Sequence, residues 1–422
     1  MKKQNNSKIK SVLIQNVVTI VFVVLCILGI IASQQPLSFI AKELITRIGR
    51  NSFLVLALII PVIAGMGLNF GITLGAMAAQ IVMIFAISYG ATGFSGFMIC
   101  MVLSTPIAAV FGYLTGKLLN KTMGQEMITS MILGLFANGL YQLLFLFLVG
   151  TILPIGNENF LVPGGVGIVN TIDLKGNLMY ALDSLWTMKL PLVLMITGAI
   201  VVLVLCLMLF INRKEKTKEQ LRHLYARIGM GLSLIMVGLI LQYTNNIYKF
   251  FKIPLVTALF IAIIAIFNIA IFKTKMGHDF RTVGQDKHIA HVSGINVEKR
   301  RILSIVISTI LAAWGQIIFL QNLGTLNTYG AHSQISTFAI AALLIGGASV
   351  TKATVGQALI GVILFHTLFI VSPTAGKNLF GNAQVGEYFR TFIAYGVIGL
   401  SLGLHAWKAF AAKQSKDKID LE

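Results

Sequence analysis

The sequence predicts an all-α, polytopic membrane protein, and three observations carry that prediction. Of its 422 residues, 56% are hydrophobic and only 11% are charged, whereas soluble domains carry roughly 25% charged residues. Mean hydropathy is +0.86. No Asp, Glu, Lys or Arg occurs between Asn51 and Gly116, room for several crossings at about 20 residues each. The chain therefore reads as a single membrane domain over residues 1–422, and an ordinary soluble enzyme is excluded.

Apolar runs bounded by charge or by Gly, Pro and Asn clusters place long helices at 12–31, 72–90, 95–116, 127–150, 191–211, 255–272, 302–320, 354–370 and 388–406. Shorter runs at 53–66, 230–242 and 336–348 cross only if tilted, locally thinned or packed against protein. The expected total is about ten to twelve spans. The run at 12–31 follows a basic start but exceeds the 7–15 apolar residues of a signal peptide, so it reads as an uncleaved anchor. Residues 34–50 carry Leu37, Ile40, Ala41, Leu44, Ile45 and Ile48 at helical spacing, apart from Lys42, Glu43, Arg47 and Arg50. That pattern suits a helix lying along the outer interface. The stretch 151–190, with Pro154, Pro163, Gly164 and Gly165, reads as a partly structured external loop. Cys26, Cys100 and Cys206 all fall within apolar segments, so no disulfide framework is implied.

A net charge of +19 raises the question of nucleic acid, so the positions of the charges matter. With the N-terminus inside, 24 of the 33 Lys and Arg fall on cytoplasmic pieces at 1–11, 117–126, 212–229, 273–301, Lys352 and 408–422. This is the distribution the positive-inside rule demands, with both termini cytoplasmic. It is an orientation signal, and no nucleic-acid partner is expected.

Within lipid, helices associate through small residues that let backbones approach. Gly96, Cys100, Ser104, Ala108, Gly112 and Gly116 recur every fourth residue and give one helix an entirely small face. That face is read as the packing surface of a bundle-interior helix. A second row, Ser130, Gly134, Asn138 and Gln142, places amides near mid-membrane, where they either bond a neighbouring helix or line a hydrated path. Ser304, Ser308, Ala312 and Gln316 form a comparable row on another helix. Two glycine-rich interruptions, at 65–71 and 346–352, break apolar segments in the two halves of the chain. The first is followed by Thr73 and Gln80. Broken helices in corresponding halves point to a transport site and leave an inverted repeat as an open expectation.

Some chemistry is missing from the sequence. The spans hold almost no ionisable residue for a coupling ion; Arg390 and His366 stand near span ends. No Gly-rich phosphate loop ending in Lys-Ser or Lys-Thr occurs, and no nucleophile, base and orienter come together. His278, His288 and His291 lack further ligands, so no metal site is expected. No enzymatic activity is read in the chain itself, and no cofactor.

The longest basic loop, 273–301, reads KTKMGHDFRTVGQDKHIAHVSGINVEKRR. Asp286 is placed to cap a short helix at 287–293 that Gly294 would end. Gly277, Arg281, Val283, Gly284, Ala290, Gly294, Ile295 and Val297, followed by basic residues and a new apolar span, resemble the coupling-loop signature of inner-membrane permeases of ABC importers. The family is that serving branched-chain amino acids, ribose and other simple sugars, and nucleosides. Asn69-Phe70-Gly71-Ile72 with Gly75-Ala76 resembles its first glycine-rich segment. The stretch 126–132 resembles the next, and 339–347 with Gly356 resembles the late Ala-rich and Gly-Gly segment. The resemblance extends from about Gly65 to Gly361 in family order. It departs at Thr73 and Leu74, where nucleoside-type members place an acidic residue and a second Gly, and at 191–246, which looks like an enlargement of the family core.

This resemblance implies a bacterial inner-membrane import complex: a second permease subunit, cytoplasmic ATP-binding subunits that hydrolyse the nucleotide, and an external solute-binding protein. Arg281, Gly284, Gln285, Asp286, Ala290 and Gly294 would then form the contact with the ATPase. Asn69, Thr73, Gln80, Asn138, Gln142 and Gln316 would line the solute path. These uncharged hydrogen-bonding side chains suit a neutral polyhydroxylated solute such as a simple sugar or nucleoside. The competing expectation is an ion-driven carrier or facilitator that works alone.

Overall fold

The computed structural model describes residues 16–164, 166–212, 218–244 and 246–419. The basic piece 1–11, the start of the run at 12–31, residues 213–217 of the piece 212–229 and the last residues of 408–422 lie outside them. Helices α1 (Val17–Ser33), α2 (Leu37–Leu56) and α3 (Ile59–Ile63) lead to α4 (Ile72–Ser88), α5 (Gly93–Lys121) and α6 (Glu126–Leu143), which ends in a π-helical turn at Leu144–Leu148. Strands β1 (Thr171–Asp173) and β2 (Thr187–Lys189) precede the hairpin α7 (Leu190–Asn212) and α8 (Lys218–Tyr243). Then come β3 (Lys252–Pro254), α9 (Leu255–Ile271), α10 (Lys275–Gln285), α11 (Lys287–Val292), α12 (Val297–Leu323), β4 (Thr325–Asn327), α13 (Ile335–Ile345), α14 (Val355–Phe380) and α15 (Ala383–Ile419).

The fold is helical and polytopic, as the composition requires, but the span count is lower than expected. Among the described residues, seven helices are long and apolar enough to cross a membrane, or up to eight if the pair α9 and α10, bent by 73°, counts as one. The difference from ten to twelve lies in four of the expected runs, those of the short helices α1, α4 and α13 and the run at 388–406 on α15, none of which is among these helices. The runs at 34–50 and 53–66 belong to one helical passage, Leu37–Ile63, in which α3 continues α2 after a two-residue turn. The helices α1, α4 and α13 have only 17, 17 and 11 residues, about 26, 26 and 17 Å of helix against a core of about 30 Å. The only strands among the described residues are three residues long and pair in twos: β1 with β4, and β2 with β3, both antiparallel.

The centre of the molecule is α12, which packs on α5, α4 and α2. Asn296 starts it, its side chain accepting a hydrogen bond from Lys299 N at 2.9 Å, and Gly324 ends it in the left-handed region at φ +78°. The small face of α5, Gly96, Cys100, Ser104, Ala108, Gly112 and Gly116, is buried throughout, with Gly112 and Gly116 against Val306, Thr309 and Ile302 of α12 and Gly96 against Ala91 and Leu178. A Cβ at Gly112 would stand 2.8 Å from Val306 Cα, and one at Gly75 on α4 would stand 2.3 Å from the Thr309 carbonyl oxygen. Three backbones thus meet where any side chain would separate them, which is how helices gain contact when lipid offers no hydrophobic penalty for exposure.

Both glycine-rich interruptions are real breaks. Between α3 and α4 the chain turns through Gly65 and Gly67, at φ +73° and +67°, and between α13 and α14 it turns through Gly347 at φ +90°. The freed backbone faces protein in both places, with Ile63, Ala64 and Met66 half-buried or buried around the first. The hairpin α7–α8 packs chiefly on itself, through Gly198 against Gly231, and hangs from the β2–β3 pair. It makes up most of the stretch 191–246 that reads as an enlargement.

Candidate functional site

Two clusters of side chains stand out, one in the bundle interior and one at the end that carries α10 and α11. The interior cluster is organised by a residue that pattern reading passes over, His332. It is fully buried in the turn between β4 and α13. Its Nδ1 lies 2.7 Å from Gln80 Oε1 on α4, and its Nε2 lies 2.7 Å from Asn138 Oδ1 on α6. The ring also makes an edge contact with Tyr141, with centroids 4.6 Å apart. Both partners are amide oxygens, which accept, and a neutral imidazole donates from only one nitrogen, so the two bonds form together only when one amide turns to present its NH2, as the buried and otherwise unpartnered Gln80 Nε2 is placed to do.

Around this histidine lies a cavity of about 280 Å³, lined by Phe70, Thr73, Asn138, His332, Ser336 and Tyr395 among others. Thr73 Oγ1 donates to Ser336 Oγ at 3.0 Å, tying α4 to α13 across its wall. Gln316, buried on α12, donates from Nε2 to the Ala331 carbonyl at 3.4 Å and so braces the turn that presents His332. The structure therefore brings Thr73 and Gln80 of α4, Asn138 of α6 and Gln316 of α12 around the turn that carries His332.

Two residues expected on the same path stand elsewhere. Asn69 is buried in the first break, where its Oδ1 accepts from Gly71 N at 2.9 Å. This side-chain turn shapes the entry to α4. Gln142 is half-buried at the end of α6, beside the π-helical turn, and does not line the cavity. In the same row, Ser130 takes a structural role, accepting from Phe70 N at 3.2 Å and so tying α6 to the first break.

At the end carrying α10 and α11, the local sequence explains the geometry. Asp286 Oδ1 accepts from His288 N at 2.7 Å and Ile289 N at 3.0 Å, capping α11, and these two N–H groups hold its carboxyl below the usual carboxylate range. The helix ends at Val292, and Gly294 turns the chain at φ +75°. Ala290 is buried beneath it, whereas Ile289 and Val292 are 57% and 73% exposed. Arg281 and Gln285 are exposed on α10, and the Arg281 guanidinium stacks over Phe272 at 5.5 Å.

This two-helix unit is fixed to the bundle at two points. Gly284 abuts the first break, since a Cβ there would stand 2.0 Å from the Ile63 carbonyl oxygen, and one on Gly65 would stand 2.8 Å from Gly284 Cα. The second point is Glu126, at the start of α6, which pairs with the fully buried Arg301 of α12 and with Lys287 of α11 at 3.7 Å. Arg301 Nε also donates to Met66 Sδ at 2.8 Å, in the same break. The unit α10–α11 thus touches α3 through Gly284 and α6 through Lys287, and Glu126 joins the latter contact to α12; α6 and the residues that follow the break both line the interior cavity. No group of three or more His, Cys, Asp or Glu suited to a metal occurs among the described residues.

Residues 40–401 match the family model described as branched-chain amino acid transport system / permease component. Among curated proteins, the chain is similar to the xylose transport system permease protein XylH of Haemophilus influenzae, 27% identical over 197 residues that cover 45% of this chain and 50% of that protein. It is also similar to the probable ABC transporter permease protein YphD of Escherichia coli, 30% identical over 118 residues that cover 28% of this chain and 35% of that protein. The chain thus spans about half the length of one of these relatives and about a third of the other. No solved structure matches it.

Proposed function

We propose a transport role from this premise: the chain belongs to the family of branched-chain amino acid transport system permease components. Its members are transport components rather than catalytic subunits, and the apolar helices make this one a multi-pass membrane protein. On our reading it is the permease subunit of an ATP-driven importer for a small polar solute, a simple sugar or a nucleoside. The observation that carries the reading is the set of uncharged polar side chains, Thr73, Asn138, His332 and Ser336, that share one cavity between helices that are otherwise apolar.

Uncharged donors and acceptors in a dry surrounding offer a hydroxylated solute replacement for its water, and without a fixed charge they release it again. The names of the two similar permeases, one of a xylose system and one an ABC permease, support the sugar class and the ATP-driven class. The unit α10–α11 supports the energy input: exposed Ile289 and Val292 suit a groove on an ATP-hydrolysing partner. A second permease subunit and an external solute-binding protein complete the assembly.

The test is accumulation in proteoliposomes. The chain reconstituted with its ATP-hydrolysing partner and binding protein should accumulate at least one labelled sugar or nucleoside only when ATP is supplied. Accumulation by the chain alone on an ion gradient would overturn the reading.

A further inference from the structure

The end of the bundle opposite α10 and α11 holds a second cavity, of about 480 Å³, with Asn51, Thr171, Asn327, Gln334 and His366 among its lining residues. No Asp or Glu lines it. His366, on α14, is 5% exposed and its Nδ1 has no hydrogen-bond partner. Behind the wall stands Arg50, its guanidinium 5.2 Å from the centroid of Phe319, which also lines the cavity.

The charges around this cavity do not balance. Arg47 pairs with Glu43 at 3.8 Å and Arg390 pairs with Glu387. Arg50 makes no ion pair among the described residues, and its Nε is buried without a partner. His366 lies within electrostatic reach of both Arg47 and Arg50. A cation removed from water persists only where something offsets its desolvation, and an ionisable group at membrane depth marks a site and calls for a named partner. Glu43 acts on Arg50 as well as on its partner Arg47, so Arg47, Arg50 and Arg390 face only Glu43 and Glu387 and one cation stands in excess.

We propose that this cavity binds a small acidic solute of the sugar-acid class. The carboxylate lies in the field of Arg50 and against His366, and the hydroxyls meet Asn51, Thr171, Asn327 and Gln334. A volume of this size suits a monosaccharide, within the roughly 300–1,000 Å³ of ligand pockets. The proposal rests on the transport reading and replaces its neutral solute by an acidic one: the interior cavity handles the polyol, and the outer one selects the charge.

The test compares glucuronate with glucuronamide, its neutral isostere, by titration of the purified full chain in zwitterionic nanodiscs. Glucuronate should bind at least tenfold more tightly than glucuronamide. Arg50→Gln should abolish that preference and Arg50→Lys should keep it. If Arg50→Gln does not fold, His366→Asn should weaken glucuronate selectively. Equal binding of the two ligands, no binding of glucuronate, or a preference unchanged in Arg50→Gln overturns the proposal. Inorganic phosphate binding as tightly as glucuronate, or phosphatidylglycerol in the nanodisc abolishing the preference, assigns the cavity to a bare anion or a lipid headgroup and also overturns it. Loss of ATP-driven uptake with the binding preference intact would count against the transport reading alone.

Discussion

Gly284 meets the carbonyl of Ile63 backbone to backbone, with only 2.0 Å between that oxygen and the place a Cβ would take. The contact joins the exposed helix pair to the break that opens onto the interior cavity. Replacing Gly284 by Ala should force the two segments apart, at about 1–3 kcal/mol for overpacking. Solute-stimulated ATP hydrolysis by the assembled complex should then fall about tenfold while basal hydrolysis persists. Undiminished stimulation in Gly284→Val would show that this contact transmits nothing.

Glu126 is the second link. Glu126→Gln leaves Arg301 buried without its carboxylate, and removing one partner of a buried pair costs about 3–5 kcal/mol. The double variant Glu126→Leu with Arg301→Met should recover most of the loss, because both charges are then gone. Thermal unfolding in detergent reads the stability, and a double variant no more stable than Glu126→Gln would contradict the pairing.

His332 holds two helices by its two nitrogens. His332→Leu should leave Gln80 and Asn138 without their partner and reduce ATP-driven uptake about tenfold, with little change in basal ATP hydrolysis. His332→Asn should retain more uptake than His332→Leu, since it can still bond one amide. Equal uptake by wild type and His332→Leu would remove this cluster from the solute path.

Asp286 gives a pH dependence of definite sign. Its carboxyl is held below the usual range by the N–H groups of His288 and Ile289, so the folded-state pKa lies below the unfolded value. The cap's contribution is present above the unfolded pKa and is lost as pH falls through the depressed one. The opening of α11, read as hydrogen exchange corrected for its intrinsic pH dependence, should therefore stay flat from neutral pH down to the ordinary carboxylate range and rise below it. In Asp286→Asn that acid-induced rise should be absent, and fraying of wild-type α11 already at pH 6 would contradict the assignment.

What the sequence made legible followed from the range of each interaction. The Asp286 cap and the Gly294 stop are local, and both occur within a residue of where spacing puts them. The small face of α5 is a periodic signal on one helix, and it is buried throughout, with α12 against Gly112 and Gly116. His332 left no such trace, because it occupies a non-periodic turn and its partners are 252 and 194 residues away. Gln142 misled for a geometric reason: at 3.6 residues per turn, each step of four turns a row by about 40°, so a row begun at Ser130 has rotated away by its fourth member. The merging of 34–50 with 53–66 was hidden by the charges of Arg47 and Arg50, which read as interfacial but are half-buried against Phe369 and Phe319.

The central claim is that this chain passes a solute at the expense of ATP hydrolysed elsewhere. Its most direct test is a flux measurement with the ATP-hydrolysing partner present, in wild type and in Ile289→Asp with Val292→Asp, which spoils the exposed apolar face of α11. ATP-dependent accumulation is expected from wild type and none from the double variant, with the variant chain still folded in the membrane. Equal accumulation by both, or accumulation by wild type without nucleotide, would contradict the claim.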